Sequence, residues 1–315
     1  MTTTVQAAGR QVQEQDEHPG LGRAPRWLPA ALGALAACLV LIAVLGPLVT
    51  GAVQYRYTAS MVNQAVGLDA FVLAVVAPLA VVAAALAARR HPAAPLLALA
   101  PAGFALYMLP QYVIGPEYLT LDGNGERAFL LFLGTFVLSG ALLLGSWSVA
   151  RAPVWPDRLW RRRAWLLLAL AVFVLGGLYL GNGFLHAVWD FPAFIAERAA
   201  TSEYDEHPTA YWLVAFLDLG VVVPLTVATA VGLLRRRDWA ARAFYAVLGW
   251  YAAVPGSVAA MALVMLGRDD PAASPGRAVL FTVAAVLFLV LAGRVFVPLL
   301  RPATWRPVIA DPADR

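Results

Sequence analysis

Residues 211–237 read YWLVAFLDLGVVVPLTVATAVGLLRRR. The first 24 of these positions carry one charged side chain, Asp218, and the run stops at Arg235-Arg236-Arg237. A helix rises 1.5 Å per residue, so about 20 apolar residues cross the hydrocarbon core of a bilayer. This stretch is therefore a membrane span with a carboxylate inside it. Working outward, the same length rule marks seven more spans at 27–50, 69–88, 93–113, 127–150, 165–186, 241–266 and 278–298. The expected fold is all-α: a polytopic transmembrane bundle of eight helices over 27–300, with polar tails at 1–26 and 301–315. Composition agrees. Of 315 residues, 61% are hydrophobic and 13% charged, where a soluble domain carries about 25% charged. No segment alternates apolar and polar residues as an outer-membrane barrel strand does.

The loops sort by charge. If both termini and the loops following spans two, four and six share one side, that side collects 18 of the 23 arginines. They include Arg89-Arg90, Arg161-Arg162-Arg163 and Arg235-Arg236-Arg237; the other side keeps Arg56, Arg127, Arg198, Arg268 and Arg277. Arginine-rich short loops stay in the cytoplasm, so both termini are expected there. The basic pI near 9.5 then reflects topology, and no nucleic-acid partner is expected. Every basic residue is arginine, and with the abundant Ala, Gly and Pro this composition suggests a GC-rich bacterial genome, hence a bacterial plasma membrane. The polar start contains Glu14, Asp16 and Glu17, unlike a cationic signal peptide, so the first span is expected to remain as an anchor. Cys38, the single cysteine, lies inside span one and forms no internal disulfide.

A period runs through the chain. Pro78 to Pro224 is 146 positions, as is Arg89 to Arg235, and Leu68-Asp69 matches Leu217-Asp218. Tyr107 and Pro110 of span three match Tyr251 and Pro255 of span seven, while Arg127 and Arg277 open spans four and eight. Ordered matches near one period suggest a duplicated four-helix unit, residues 27–150 and 165–298. Four spans per unit make the halves parallel, related by an axis along the membrane normal.

Asp218 is the first candidate for function. It lies about 10 Å inside span six at 1.5 Å per residue, where a charge is costly and should face the bundle interior with a partner. Asp69 sits at the corresponding end of span two, nearer the surface. Arg127 and Arg277 stand at the same level, and buried pairs Asp69–Arg127 and Asp218–Arg277 would be the structural reading. Gln111, Tyr112, Asn182, His186 and Asp190, with Tyr211 and Trp212, would line a vestibule opening away from the arginine-rich side if they converge; the aromatic members also suit an interfacial belt. Pro101, Gly103 and Pro110 in span three and Pro255-Gly256 in span seven are expected to break those helices, a pointer to a transport site. The loop after span five carries Asp190, Glu197, Glu203, Asp205, Glu206 and His207, an acidic run that either attracts a cation or is simply solvated.

Other chemistries find little support. A haem between helices needs two axial ligands, and His186 is the only histidine in or bordering an outer membrane half. The acidic loop after span five has no zinc or EF-hand spacing, and the chain has no Walker A motif, Gly-x-Ser-x-Gly elbow or His-Glu-x-x-His. No cofactor or metal is expected, and an enzyme less than a binding protein. The segments Leu217-Asp218-Leu219-Gly220 to Pro224-Leu225, Arg235 to Trp239, Tyr112 to Gly115 and Phe129 to Phe132 resemble an uncharacterised family of bacterial multi-pass membrane proteins. That resemblance implies a similar span number and an Asp-Leu-Gly…Pro helix, and brings no activity. Three readings stay open: binding or transport of a small molecule through an outward-facing cavity around Asp218; a sensor, scaffold or complex subunit; and an enzyme acting on a lipid. The oligomeric state is not legible.

The charge sorting yields a direct test. In a Cys38→Ser background, a cysteine at Glu203 should react with an impermeant thiol reagent in intact cells while one at Asp157 should not. Labelling confined to position 157 would invert the topology.

Overall fold

A computed structural model of the chain describes residues 24–180, 184–197, 204 and 207–305. Among these there is no strand. Eight helices are long and apolar enough to cross a membrane: Leu28–Leu45, Ala59–Ala88, Ala94–Ile114, Gly125–Val149, Asp157–Tyr179, Pro208–Leu234, Asp238–Gly267 and Pro275–Leu300. They present large apolar side chains outward, with Leu130 77% and Phe216 72% exposed. Such a surface suits lipid and would be an aggregation hazard in water. The chain thus has the architecture of a multi-pass membrane protein.

Two helices run further than hydropathy suggested. Span two starts at Ala59 instead of 69, capped by the Thr58 hydroxyl, which accepts from Met61 N–H at 3.3 Å. The polar Asn63 and Gln64 extend the helix without being apolar. Span five starts at Asp157 and carries Arg158 and Arg161 to Arg163 in its first turns. Charged side chains at a membrane surface do not end a helix, since their heads reach water along flexible stems.

Spans three and seven were expected to break at their prolines, and they do not. Ala94–Ile114 and Asp238–Gly267 stay α-helical through Pro101, Pro110 and Pro255. Neighbouring helices can accommodate the backbone groups that a proline frees within a membrane. The irregular helices are instead spans two, five and six. π-Helical turns occupy Val72–Val76 and Asp218–Val222, each followed directly by an α-helix with proline in its first two positions, Pro78 and Pro224. A proline ring crowds the carbonyl four residues earlier, and a wider turn just upstream relieves that clash. Both helices then end alike. Arg90 and Arg236 take left-handed φ of 54° and 53°. His91 N–H donates to Leu86 O and Arg237 N–H to Gly232 O, both at 2.9 Å, closing a Schellman motif in each. π turns, prolines and left-handed arginines are all 146 positions apart. A third π turn, Phe173–Tyr179, lies in span five, which has no proline there.

Span seven is the joint of the bundle, packing on spans two, three and eight. The start of span six packs on span three, as span seven packs on the start of span two. Small residues allow these crossings. A Cβ on Gly67 would collide with the Met261 Cα and lie 2.6 Å from the Ala260 carbonyl oxygen. One on Gly249 would fall 2.5 Å from the Ala100 Cβ. Buried side chains gather in two clusters. One runs through Leu28, Leu35, Phe104 and Phe132, the other through Leu167, Leu233, Phe244 and Leu248. Of the eight, span three is the best covered helix and span eight the least.

Gly67→Ala should destabilise the protein by about 1–3 kcal/mol, the usual cost of overpacking, because backbone atoms of span seven would have to move. Gly134→Ala, with nothing within 4 Å of the added carbon, should be neutral or slightly stabilising. Thermal unfolding of the detergent-purified variants reads both, and equal melting temperatures would refute the close crossing.

Candidate functional site

Span three stands between two buried carboxylates and supplies a tyrosine to each. Tyr107 and Tyr112 are five positions apart, which on an α-helix is about 140° of rotation and roughly 7.5 Å of rise. They therefore point to different neighbours. The Tyr107 hydroxyl donates to Asp218 Oδ1 at 2.6 Å, and the Tyr179 hydroxyl donates to Asp218 Oδ2 at 2.7 Å. Asp218 is 6% exposed and ties spans three, five and six together. Trp250 of span seven packs edge-on against Tyr107, ring centroids 5.1 Å apart, and Tyr251 lies beside it. The Asp218 carboxylate thus sits among Tyr107, Tyr179 and the flanking Trp250, with no arginine in salt-bridge range among the described residues.

Asp69 is more enclosed, at 1% exposure. Its Oδ1 accepts from the Tyr112 hydroxyl at 2.9 Å, and Tyr112 stacks on Phe132 of span four and packs on Tyr55. Asp69 was expected at the end of span two, near the surface. Because that helix begins at Ala59, Asp69 lies ten residues inside it, as Asp218 lies ten residues beyond Pro208. The two are not in equivalent register. Asp218 opens its π turn, whereas Asp69 precedes its own by three residues.

The paired arginines expected of these carboxylates are elsewhere. Arg127 and Arg277 are both exposed, and the Asp69–Arg127 and Asp218–Arg277 pairs do not form. Tyrosine hydroxyls meet the carboxylates because spans three and five reach Asp218 from within the bundle, while an arginine at a helix mouth gains more from water. Among the other candidates, Tyr112 belongs to the Asp69 cluster. The Gln111 side chain turns to Met108 Sδ at 3.4 Å, and the Gln111 backbone carbonyl accepts from the Tyr57 hydroxyl at 2.7 Å. His186 approaches Glu197 at 3.9 Å, and Asp190 caps the helix Phe191–Glu197 by accepting from Ala193 N–H at 3.3 Å. Those two therefore sit in the loop after span five, away from the carboxylates. Asn182 lies outside the described residues. Tyr107 and Tyr179, the direct partners of Asp218, were not among the candidates. Their signal was present: a tyrosine well inside an apolar span must find a partner for its hydroxyl.

Above Asp218, on the arginine-poor side, lies an aromatic cap. Phe184 packs against Tyr179, Tyr211 and Trp212 at 5.2, 6.5 and 5.9 Å, and Tyr204 continues the cluster to Phe191 and Phe194. Beside it, His207 ties the start of span six to the start of span two. Its Nε2 accepts from Thr58 N–H at 3.0 Å, and the Thr209 hydroxyl donates to Glu117 at 2.7 Å. Burial pushes His207 below its ordinary pKa, with the nearby Glu117 opposing, so the neutral ring needed to accept from Thr58 is favoured. A further clamp holds the loop ahead of span four, where Arg56 pairs with Glu126 at 3.1 Å and Asn124 accepts from Gln54 N–H at 2.7 Å. A cavity of about 20 Å³, room for a single water, lies beside Asp69 and Tyr112 and is otherwise lined by apolar side chains such as Leu39, Phe104 and Met108. No group of three or more His, Cys, Asp or Glu that would hold a metal occurs among the described residues.

Comparison with protein-family models, with curated proteins and with solved structures finds no match.

The tyrosine clamp has an energetic signature. Tyr179→Phe and Tyr107→Phe should each lower stability by about 1–2 kcal/mol, between the small average for hydrogen bonds within membranes and the larger value for bonds to a charge. Each should be non-additive with Asp218→Asn in a double-mutant cycle. Arg277→Ala should leave stability unchanged and show no coupling to Asp218; a coupling there as large as that of Tyr179 would restore the ion-pair arrangement.

Proposed function

We propose that this protein binds or transports a small molecule at the Asp218 cluster, entered from the arginine-poor side. The observation that supports this reading best is Asp218 itself, a carboxylate buried in a span and met by tyrosines, with no counter-cation among the described residues. Ionisable groups so placed in membrane proteins commonly mark substrate or ion paths, and π turns recur at functional sites. A carboxylate flanked by Tyr107, Tyr179 and Trp250 suits a positively charged amine, through charge and through cation–π attraction.

The same proposal includes the topology and its origin. Both termini face the cytoplasm, supported by the arginine bias, and the membrane is a bacterial plasma membrane, supported by the lysine-free, Ala-, Gly- and Pro-rich composition. The chain arose by duplication of a four-helix unit. Support comes from the π turns, prolines and left-handed arginines at one spacing of 146. It comes also from the crossed contacts of span seven with span two and of span six with span three.

A second reading has its own observation. Both Asp218 oxygens are already satisfied by tyrosine, and span eight is barely covered. A sensor, scaffold or complex subunit would need no more than that: a rigid bundle with one helix free for a partner. A lipid-acting enzyme has less support, since Asp218 is enclosed by spans three, five and six.

Detergent-purified protein should distinguish the two readings. Propylammonium at millimolar concentration is expected to raise the melting temperature of the wild type, and propionate is not. Asp218→Asn should remain folded and lose the propylammonium response. A wild type indifferent to both probes, with Asp218→Asn strongly destabilised, would instead favour the scaffold.

A further inference from the structure

A second group of oxygens lies at the other carboxylate. Asp69 Oδ1 is taken by Tyr112, but Oδ2 has no hydrogen-bond partner among the described residues, and neither has the hydroxyl of Tyr55, which is 4% exposed. These two unpartnered atoms face one place. A methyl group on Gly46 would lie 2.7 Å from Asp69 Oδ2, 2.9 Å from the Tyr55 hydroxyl and 3.2 Å from the Ile42 carbonyl oxygen. Three oxygens from span one, the loop after it and span two therefore converge over a glycine, where any side chain would fill the gap between them. The cavity beside Asp69 touches two of the three residues, Ile42 and Asp69.

We propose that Asp69, Tyr55 and the Ile42 carbonyl form a binding site for one small monovalent cation, a proton or sodium. The chemistry of the donors favours it. A buried polar atom left without a partner costs free energy, and two in one place are satisfied together by a single occupant. The Ile42 carbonyl accepts from Gly46 N–H at 2.9 Å and keeps a second lone pair. The Tyr55 hydroxyl is hydrogen-bonded to none of the described residues, so its oxygen is free to face the ion. With a proton bound, Asp69 is neutral and its Oδ2–H faces the place where the Tyr55 hydroxyl and the Ile42 carbonyl also converge. With sodium bound, Asp69 supplies the charge and Tyr55 a neutral ligand, and the cavity has room for a water to complete the shell. The titratable groups around the site are Tyr55, Tyr112 and Tyr57. Span seven packs on the other flank of span two through Ala260 and Met261 against Gly67 and brings no charge there. The site does not depend on the ligand proposed for Asp218, and the two can fail separately.

The test is the melting temperature of the purified protein at constant ionic strength, in two arms. Sodium replaces potassium at fixed pH, and pH is lowered in sodium-free medium. One arm should raise the melting temperature of the wild type and identify the ion. The response should persist in Asp218→Asn and vanish in Asp69→Asn, whose amide keeps the shape and the bond from Tyr112. Tyr55→Phe, which removes one oxygen, should raise the half-maximal ion concentration about tenfold, the effect of losing one moderate ligand. If Asp69→Asn does not fold, Tyr55→Phe carries the test alone. A wild type that responds in neither arm overturns the proposal, as does a response unchanged in both Asp69→Asn and Tyr55→Phe.

Discussion

Two carboxylates inside apolar spans must be met from within the protein, because lipid offers no hydrogen bond and a charge at that depth is costly. Span three meets both. Its Tyr107 and Tyr112 face opposite ways, one to Asp218 and one to Asp69, and this explains why it is the most covered helix of the eight. Span seven lies against it closely at small residues, with Gly249 on Ala100, and places Trp250 against Tyr107. The arrangement of the remaining spans around this pair follows: span four backs Tyr112 with Phe132, and span five closes on Asp218 with Tyr179.

The carboxylates are alike in setting and differ in use of their oxygens. At Asp218, both oxygens accept from tyrosines, so the group holds three spans together and presents a ring of aromatic side chains. At Asp69, one oxygen is held and the other meets no partner among the described residues. The three-residue shift between the two, measured against their π turns, accounts for this. Three residues are about 60° short of a full turn, which aims Asp69 towards Gly46 and Tyr55 near the mouth of span one. Asp218 is aimed at the centre of the bundle instead. A chain with two similar helices in this way carries two dissimilar acidic centres, one closed by hydroxyls and one open to a small occupant.

Spans two and six show how a proline acts at a distance from its own position. Each π turn lies just upstream of a proline, and in span six the turn begins at the carboxylate itself. Pro101, Pro110 and Pro255 leave their helices α-helical. Sequence treats these prolines alike; the neighbours of each helix determine whether the freed backbone widens a turn or is absorbed. That is why breaks were expected in spans three and seven and proline-linked π turns occur in two and six; the π turn of span five has no proline beside it.

By itself the sequence determined the number of spans, their order and the presence of a carboxylate inside span six, because each rests on length and apolar content along one helix. It also marked Asp69 and Tyr112. It did not reveal who meets whom. The tyrosines at 107 and 179 are 111 and 39 positions from Asp218, and no periodicity within a span encodes a contact between spans. Arg127 and Arg277 matched in level and charge, yet level along the chain says nothing about the direction in which a side chain faces across the bundle. Only the tertiary structure decided that, by setting the rotation of each helix about its own axis. Backbone proximity at glycines and the satisfaction of buried hydroxyls fix that rotation, and both depend on atoms far apart in sequence.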